Sequence, residues 1–184
     1  MEWFDKYFRT EPPATVDAVS ADLWNSPVRP EDYLPAREKY QAAILEQYKI
    51  YVEMADRVSA RRAQANTFFI TLHAAAFTLV GVFWKDRPAG SGWLLIFPLA
   101  VLVGLCLAWF WLMRSYRQLN GGKYAVIGAL ERRLPASPYW SAEWTALGKG
   151  QDKSRYWALS HLEQWVPLLF ALAYVLGFIA VVLS

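Results

Sequence analysis

The stretch NTFFITLHAAAFTLVGVFW, Asn66 to Trp84, contains no Asp, Glu, Lys or Arg. Its length is near the roughly 20 residues that a helix rising about 1.5 Å per residue needs to cross about 30 Å of hydrocarbon. A buried helix of a soluble domain seldom needs so long a run without a wet face, so the stretch reads as a membrane span. Two more follow: GWLLIFPLAVLVGLCLAWFWLM, Gly92 to Met113, and WVPLLFALAYVLGFIAVVL, Trp165 to Leu183. Together they predict an all-α integral membrane protein with three transmembrane helices.

Composition alone would not have decided this. A content of 55% hydrophobic and 19% charged residues also suits a greasy globular core, and it is the clustering of the apolar residues that excludes one. The opening Met1-Glu2-Trp3-Phe4-Asp5-Lys6 lacks the basic run and apolar core of a secretory signal. The first span is therefore expected to be retained. Cys106, the single cysteine, lies inside the second span, which excludes an intrachain disulfide and a cysteine-built metal centre.

The basic residues set an expected orientation. Arg57, Arg61 and Arg62 precede the first span, and Arg114, Arg117 and Lys123 follow the second, with Arg132 and Arg133 beyond. The connection between these spans offers only Lys85 and Arg87, offset in part by Asp86. The positive-inside bias thus places the N-terminus and the region 114–164 in the cytoplasm, and the 85–91 loop and the C-terminus outside.

Residues 1–35 carry Pro12, Pro13, Pro27 and Pro30 with isolated aromatics, and predict turns with a small helix around Ser20 to Trp24. Trp3, Phe4 and Phe8 are placed either in the headgroup layer or against the cytoplasmic helices. From 36 to 65 the pattern changes. Tyr40, Ile44, Tyr48, Tyr51, Ala55 and Val58 recur at steps of three and four, and neither proline nor glycine interrupts the chain before Gly81. This predicts one long cytoplasmic helix continuous with the first span at 66–84. Its part before Asn66 extends about 45 Å, which requires a cover for the apolar stripe. One cover is a short helix around Tyr124 to Leu134 stopped by Pro135, followed by a Pro- and Trp-rich connection and a helix over Lys153 to Gln164, giving a cytoplasmic helical bundle. Near-heptad spacing between Glu46 and Arg62 also permits a second copy of the chain as the cover. Gly121-Gly122 reads as a break between the extension of the second span (92–113) and the next helix. The short 85–91 connection makes the first two spans antiparallel neighbours, and Trp84, Trp93, Trp111 and Trp165 lie near span ends, where indole bridges the apolar and headgroup layers.

The polar inventory inside the spans is short: Thr67, Thr71, His73 and Thr78, then Cys106, then Tyr174. His73 with Thr71 and Thr78 marks either a pore-lining face or an interhelix contact. Ala100, Gly104 and Ala108 in the second span, and Ala173 and Gly177 in the third (165–183), provide small residues at four-residue steps for close helix packing. Pro98 is expected to kink the second span, while Pro167 is expected in the first turn of the third, where its missing donor costs little. No acid, base, nucleophile and metal-ligand set falls at one depth, so no catalytic residue, metal or cofactor is expected. The Arg61-Arg62 and Arg132-Arg133 pairs suit anionic lipid heads. The net charge of +3 gives nucleic-acid binding little support.

One passage ties these features together. YKIYVEMADRVSARRAQANTFF, Tyr48 to Phe69, resembles the segment leading into the first span of the RipA-type family of small, octameric bacterial inner-membrane proteins. Ser115 to Asn120, Lys123 to Glu131, Leu134-Pro135, Glu143-Trp144 and Glu163 follow in the same order. The resemblance implies an all-helical homo-octamer of the bacterial inner membrane with no known reaction. Carried onto this chain, it makes Arg57, Arg61, Arg62, Arg117, Glu131 and Glu163 a structural polar network at the cytoplasmic base. The function expected is an oligomeric scaffold or envelope-maintenance component without catalytic activity, whose partners are further copies of itself, membrane lipids and a cytoplasmic protein. The rival is a channel or pore-forming effector with a weakly polar pore lined from the first span.

Overall fold

The computed structural model describes residues 14–24, 29–33, 35, 38–85, 92–147 and 159–183. The expectations for Trp3, Phe4 and Phe8, for the 86–91 hairpin and for most of the Lys153 to Gln164 helix lie outside the described residues. Among the described residues, four helices of eight residues or more carry the architecture: α1 (Val16–Leu23), α2 (Glu38–Lys85), α3 (Ile96–Glu131) and α4 (Leu159–Leu183). The described residues contain no strand. Segments of α2, α3 and α4 are each long and apolar enough to cross a membrane.

The α2 helix is 48 residues long. Nothing in its sequence before Gly81 breaks a helix, and Glu38 in its first turn faces the positive end of the helix dipole. The α3 helix departs from expectation, since it runs unbroken through Gly121 and Gly122. Two glycines cost about 2 kcal/mol of helix propensity. Burial of Asn120, Ala125, Ile127, Ala129 and Leu130 around them offsets that cost.

The two prolines exchange the roles expected of them. Pro98 falls in the first turn of α3, just after the 3-10 turn Gly92–Leu95, where an absent donor leaves no bond unmade. Pro167 lies inside α4 and is fully buried, so the Glu163 carbonyl, four residues back, lacks its helical donor. The physical reason is where each helix begins: α3 starts later, and α4 earlier, than the apolar runs alone indicate.

The chain divides into two compact units. One comprises Met1–Asp56 and Gln118–Tyr156, the other Arg57–Arg117 and Trp157–Ser184. In the first, α1 is capped by Thr15, whose hydroxyl accepts from the Ala18 N–H, and Val16 is buried. Asp17 pairs with Arg132, while Arg133 stacks its guanidinium 3.4 Å from the Trp24 ring centre and donates to Tyr40 at 2.8 Å. Ile44 and Ala55 on α2, and Ile127 and Leu130 on α3, form the apolar interior.

Gly128 sits where a side chain would collide. A Cβ there would lie 2.7 Å from the Trp140 ring. Gly128→Ala should displace that ring at a cost of at least about 1 kcal/mol, read as a lowered unfolding midpoint and a shifted tryptophan emission in detergent.

In the second unit the contacts fix an up-down-up order. Asn66 meets Trp109 while His73 meets Cys106, so the spans of α2 and α3 run antiparallel. Arg62 meets Glu163 and His73 meets Tyr174, so those of α2 and α4 run parallel. Phe69, Trp109 and Met113 form the centre, with Ala65, Tyr116, Val166 and Phe170 around it.

Candidate functional site

Of the polar residues inside the spans, Cys106 and Tyr174 gather at His73. The imidazole is fully buried and is ringed by Trp109, Phe170 and Tyr174, with centroid separations of 5.7, 5.5 and 5.6 Å. Its Nδ1 lies 3.0 Å from the Tyr174 hydroxyl and its Nε2 lies 3.7 Å from the Cys106 sulfur. The two contacts allow either neutral tautomer: the phenol donates to Nδ1 with the imidazole proton on Nε2 toward sulfur, or Nδ1–H donates to the phenol while the thiol faces a bare Nε2. One side chain from α2 thus bonds to α3 on one edge and to α4 on the other.

Toward one end of the unit, a second layer repeats the theme. Trp109 Nε1 donates to Asn66 Oδ1 at 2.8 Å, and the Trp109 ring stacks on Phe69 with centroids 5.6 Å apart and planes 4° from parallel. One further layer along, Arg62 Nε lies 3.1 Å from Glu163 Oε2, and Arg117 donates to Gln164 Oε1 at 3.2 Å. Arg114 is also buried, its guanidinium 5.6 Å from the Trp111 ring centre. Each layer therefore pairs residues from different helices.

The expected pore set separates. His73 belongs to the interior of the chain, whereas Thr71 and Thr78 are exposed on a different face of α2, together with Thr67. Their hydroxyls donate back to carbonyls four residues earlier: Thr67 to Ala63, Thr71 to Thr67 and Thr78 to Ala74. The small residues likewise lie on open faces among the described residues. A Cβ at Gly104 or Gly177 would find no atom within 4 Å, and Ala100, Ala108 and Ala173 are exposed.

The polar network also resolves residue by residue. Arg62, Glu163 and Arg117 lie together in the span unit, while Arg57 and Arg61 are exposed there. Glu131 stands in the other unit with a different task. Only 1% exposed, it accepts from the Tyr48 hydroxyl at 3.0 Å and from the Tyr139 and Trp140 N–H groups at 3.0 and 2.9 Å. Those two N–H groups open the π-helical turn Pro138–Glu143, whose own N-cap residue Ser137 supplies no side-chain bond. A carboxylate delivered from α3 therefore does the work of an N-cap. Burial, and then the Glu131 carboxylate, push the Tyr48 hydroxyl well above the usual tyrosine range. A raised acid stays protonated, so this bond is intact throughout the neutral range and is lost only in strong alkali.

The sequence marks Cys106 and Tyr174 as polar residues of their spans but does not join them to His73. The available signal was one titratable residue per span at matching depth. The Tyr48 to Glu131 bond, across 83 positions of sequence, left no local signal.

Arg62→Ala would leave a partly buried carboxylate without its cation. The yield of detergent-resistant oligomer should fall below that of Arg87→Ala, compared on native gels.

Three apolar helices held together by interior polar layers define a multi-pass, all-α membrane protein. No curated protein and no solved structure is significantly similar to the chain. The match to a family model is decisive: it covers residues 45–183, and the chain belongs to the octameric membrane protein family (8xMP). It is accordingly an oligomeric membrane protein.

Proposed function

We propose that the chain is a non-catalytic scaffold of the bacterial inner membrane, an octamer whose spans anchor a helical platform that receives a cytoplasmic protein. The observation that carries this reading is the unit Met1–Asp56 with Gln118–Tyr156, which has its own interior and its own cap at Glu131. A chain that needed only to cross the bilayer would have no use for it. The surplus of Arg57, Arg61, Arg62, Arg114 and Arg117 over Lys85 and Arg87 supports a cytoplasmic N-terminus and a periplasmic C-terminus. In-cell crosslinking from Lys49 and Lys123, followed by purification, is expected to return an oligomer with a protein partner attached. A monomer with nothing attached would end the proposal.

The outward face bearing Thr67, Thr71 and Thr78 favours a second reading, a pore with a weakly polar wall. Its test is conductance of the reconstituted oligomer across voltage and pH. Current abolished by Thr71→Val with Thr78→Val would establish it in place of the scaffold.

A further inference from the structure

The unit Met1–Asp56 with Gln118–Tyr156 carries large exposed apolar side chains on two opposite sides. On α2, Ile50 is 54% and Met54 40% exposed. On the π-helical turn and the residue after it, Tyr139, Trp140 and Trp144 are 41%, 40% and 48% exposed. Acyl chains do not account for either group. Ile50 stands about 24 Å of helix ahead of Asn66, and Gly128, the seat of the Trp140 ring, about 22 Å beyond Met113. Both lie well past a headgroup layer.

The opposition follows from the Glu131 bonds. Tyr48 donates to Glu131, which also holds the Tyr139 and Trp140 N–H groups, so the Tyr48 side of α2 faces the aromatic turn. At about 100° per residue, Ile50 and Met54 lie roughly 160° and 120° around the helix from Tyr48. One chain therefore cannot close one patch on the other, but two copies can. Copies inserted in a bilayer with one orientation are related by an axis along its normal, and a ring larger than a dimer on that axis joins two different patches. Membership of an octameric family supplies the need for such a ring. The chemistries also match, since a methionine thioether packs favourably on aromatic rings, and Trp and Tyr are favoured anchors at protein contacts.

We infer that Ile50 and Met54 of one protomer pack on the Tyr139, Trp140 and Trp144 turn of the next. By capping that turn, Glu131 holds the neighbour's docking surface in shape. The near-heptad run on α2 is then met by an aromatic turn and not by its own counterpart. This contact needs only the oligomer, and neither the scaffold nor the pore.

The test uses full-length protein in detergent with cysteines at Gln47 and Thr145, exposed positions beside the two patches. Treated with a short bismaleimide, Gln47→Cys with Thr145→Cys should give a ladder extending past the dimer on denaturing gels, because each copy offers one thiol to each neighbour. Either single variant should run as a monomer; Cys106, 1% exposed, is common to all three. Ile50→Glu would bury an unpaired charge in the contact and should raise the monomer share at least about tenfold at a given dilution, read by native mass spectrometry. Absence of the ladder overturns the inference, as does an oligomer unchanged by Ile50→Glu. A dimer from Gln47→Cys alone overturns it too, by showing that like faces meet.

Discussion

Glu131→Ala is expected to lower stability by about 2–4 kcal/mol and to release the aromatic segment 138–146. The side chain is nearly sealed from solvent and holds three donors at once, from Tyr48, Tyr139 and Trp140. Truncation leaves all three without their acceptor, and each unsatisfied buried group costs about 1–3 kcal/mol, less where water reaches the backbone. Glu131→Gln should fall between, since it keeps one carbonyl but turns an NH2 group toward a donor. Hydrogen exchange at Tyr139 and Trp140, read with the unfolding midpoint in detergent, checks both variants. Protection unchanged in Glu131→Ala would show that packing against Gly128, rather than the carboxylate, retains the segment.

Trp109→Ala should cost a comparable amount, about 2–4 kcal/mol, for another reason. The ring is the largest buried side chain of the span unit, stacked on Phe69 and tilted against Phe170. Large-to-small changes of this kind cost about 3–5 kcal/mol in water-soluble cores. Inside a bilayer the transfer term shrinks, because lipid replaces protein around what is exposed, and lost packing dominates. Trp109→Phe separates the parts: it keeps an aromatic ring but strands Asn66 Oδ1, for about 1 kcal/mol. Unfolding by graded denaturing detergent should rank the two variants, and equal midpoints would remove Trp109 from the centre of the assembly.

The spans were legible because lipid tolerates no charge, so Asn66 to Trp84, Gly92 to Met113 and Trp165 to Leu183 declare themselves one at a time. Helix starts were not. The apolar edge at Gly92 suggested a proline well inside the second span, yet the α-helix begins at Ile96, and Pro167 lies a full two turns into a helix that begins at Leu159. Hydropathy reports where lipid is; helix termini depend on backbone bonds that polar residues extend equally well. Gly121-Gly122 misled for a related reason, since intrinsic propensity was outweighed by burial of residues on either side. The site was half legible. His73 stood out as the ionisable residue of the first span, but whether it faced outward or inward depended on helix rotation, which the three-dimensional pairing with Cys106 and Tyr174 fixes. Glu131 was recognisable as an important acid, but its donors are two backbone groups and a distant phenol, and no residue pattern encodes such a meeting.

The threonines of α2 have a consequence for how copies come together. Because the hydroxyls of Thr67, Thr71 and Thr78 already find acceptors on the same helix, that wall strands no donor whether acyl tails, a neighbouring subunit or a file of water lies against it. Hydrogen bonding along that wall therefore sets no preference for the number of protomers in the closed assembly, which leaves any preference there to side-chain packing.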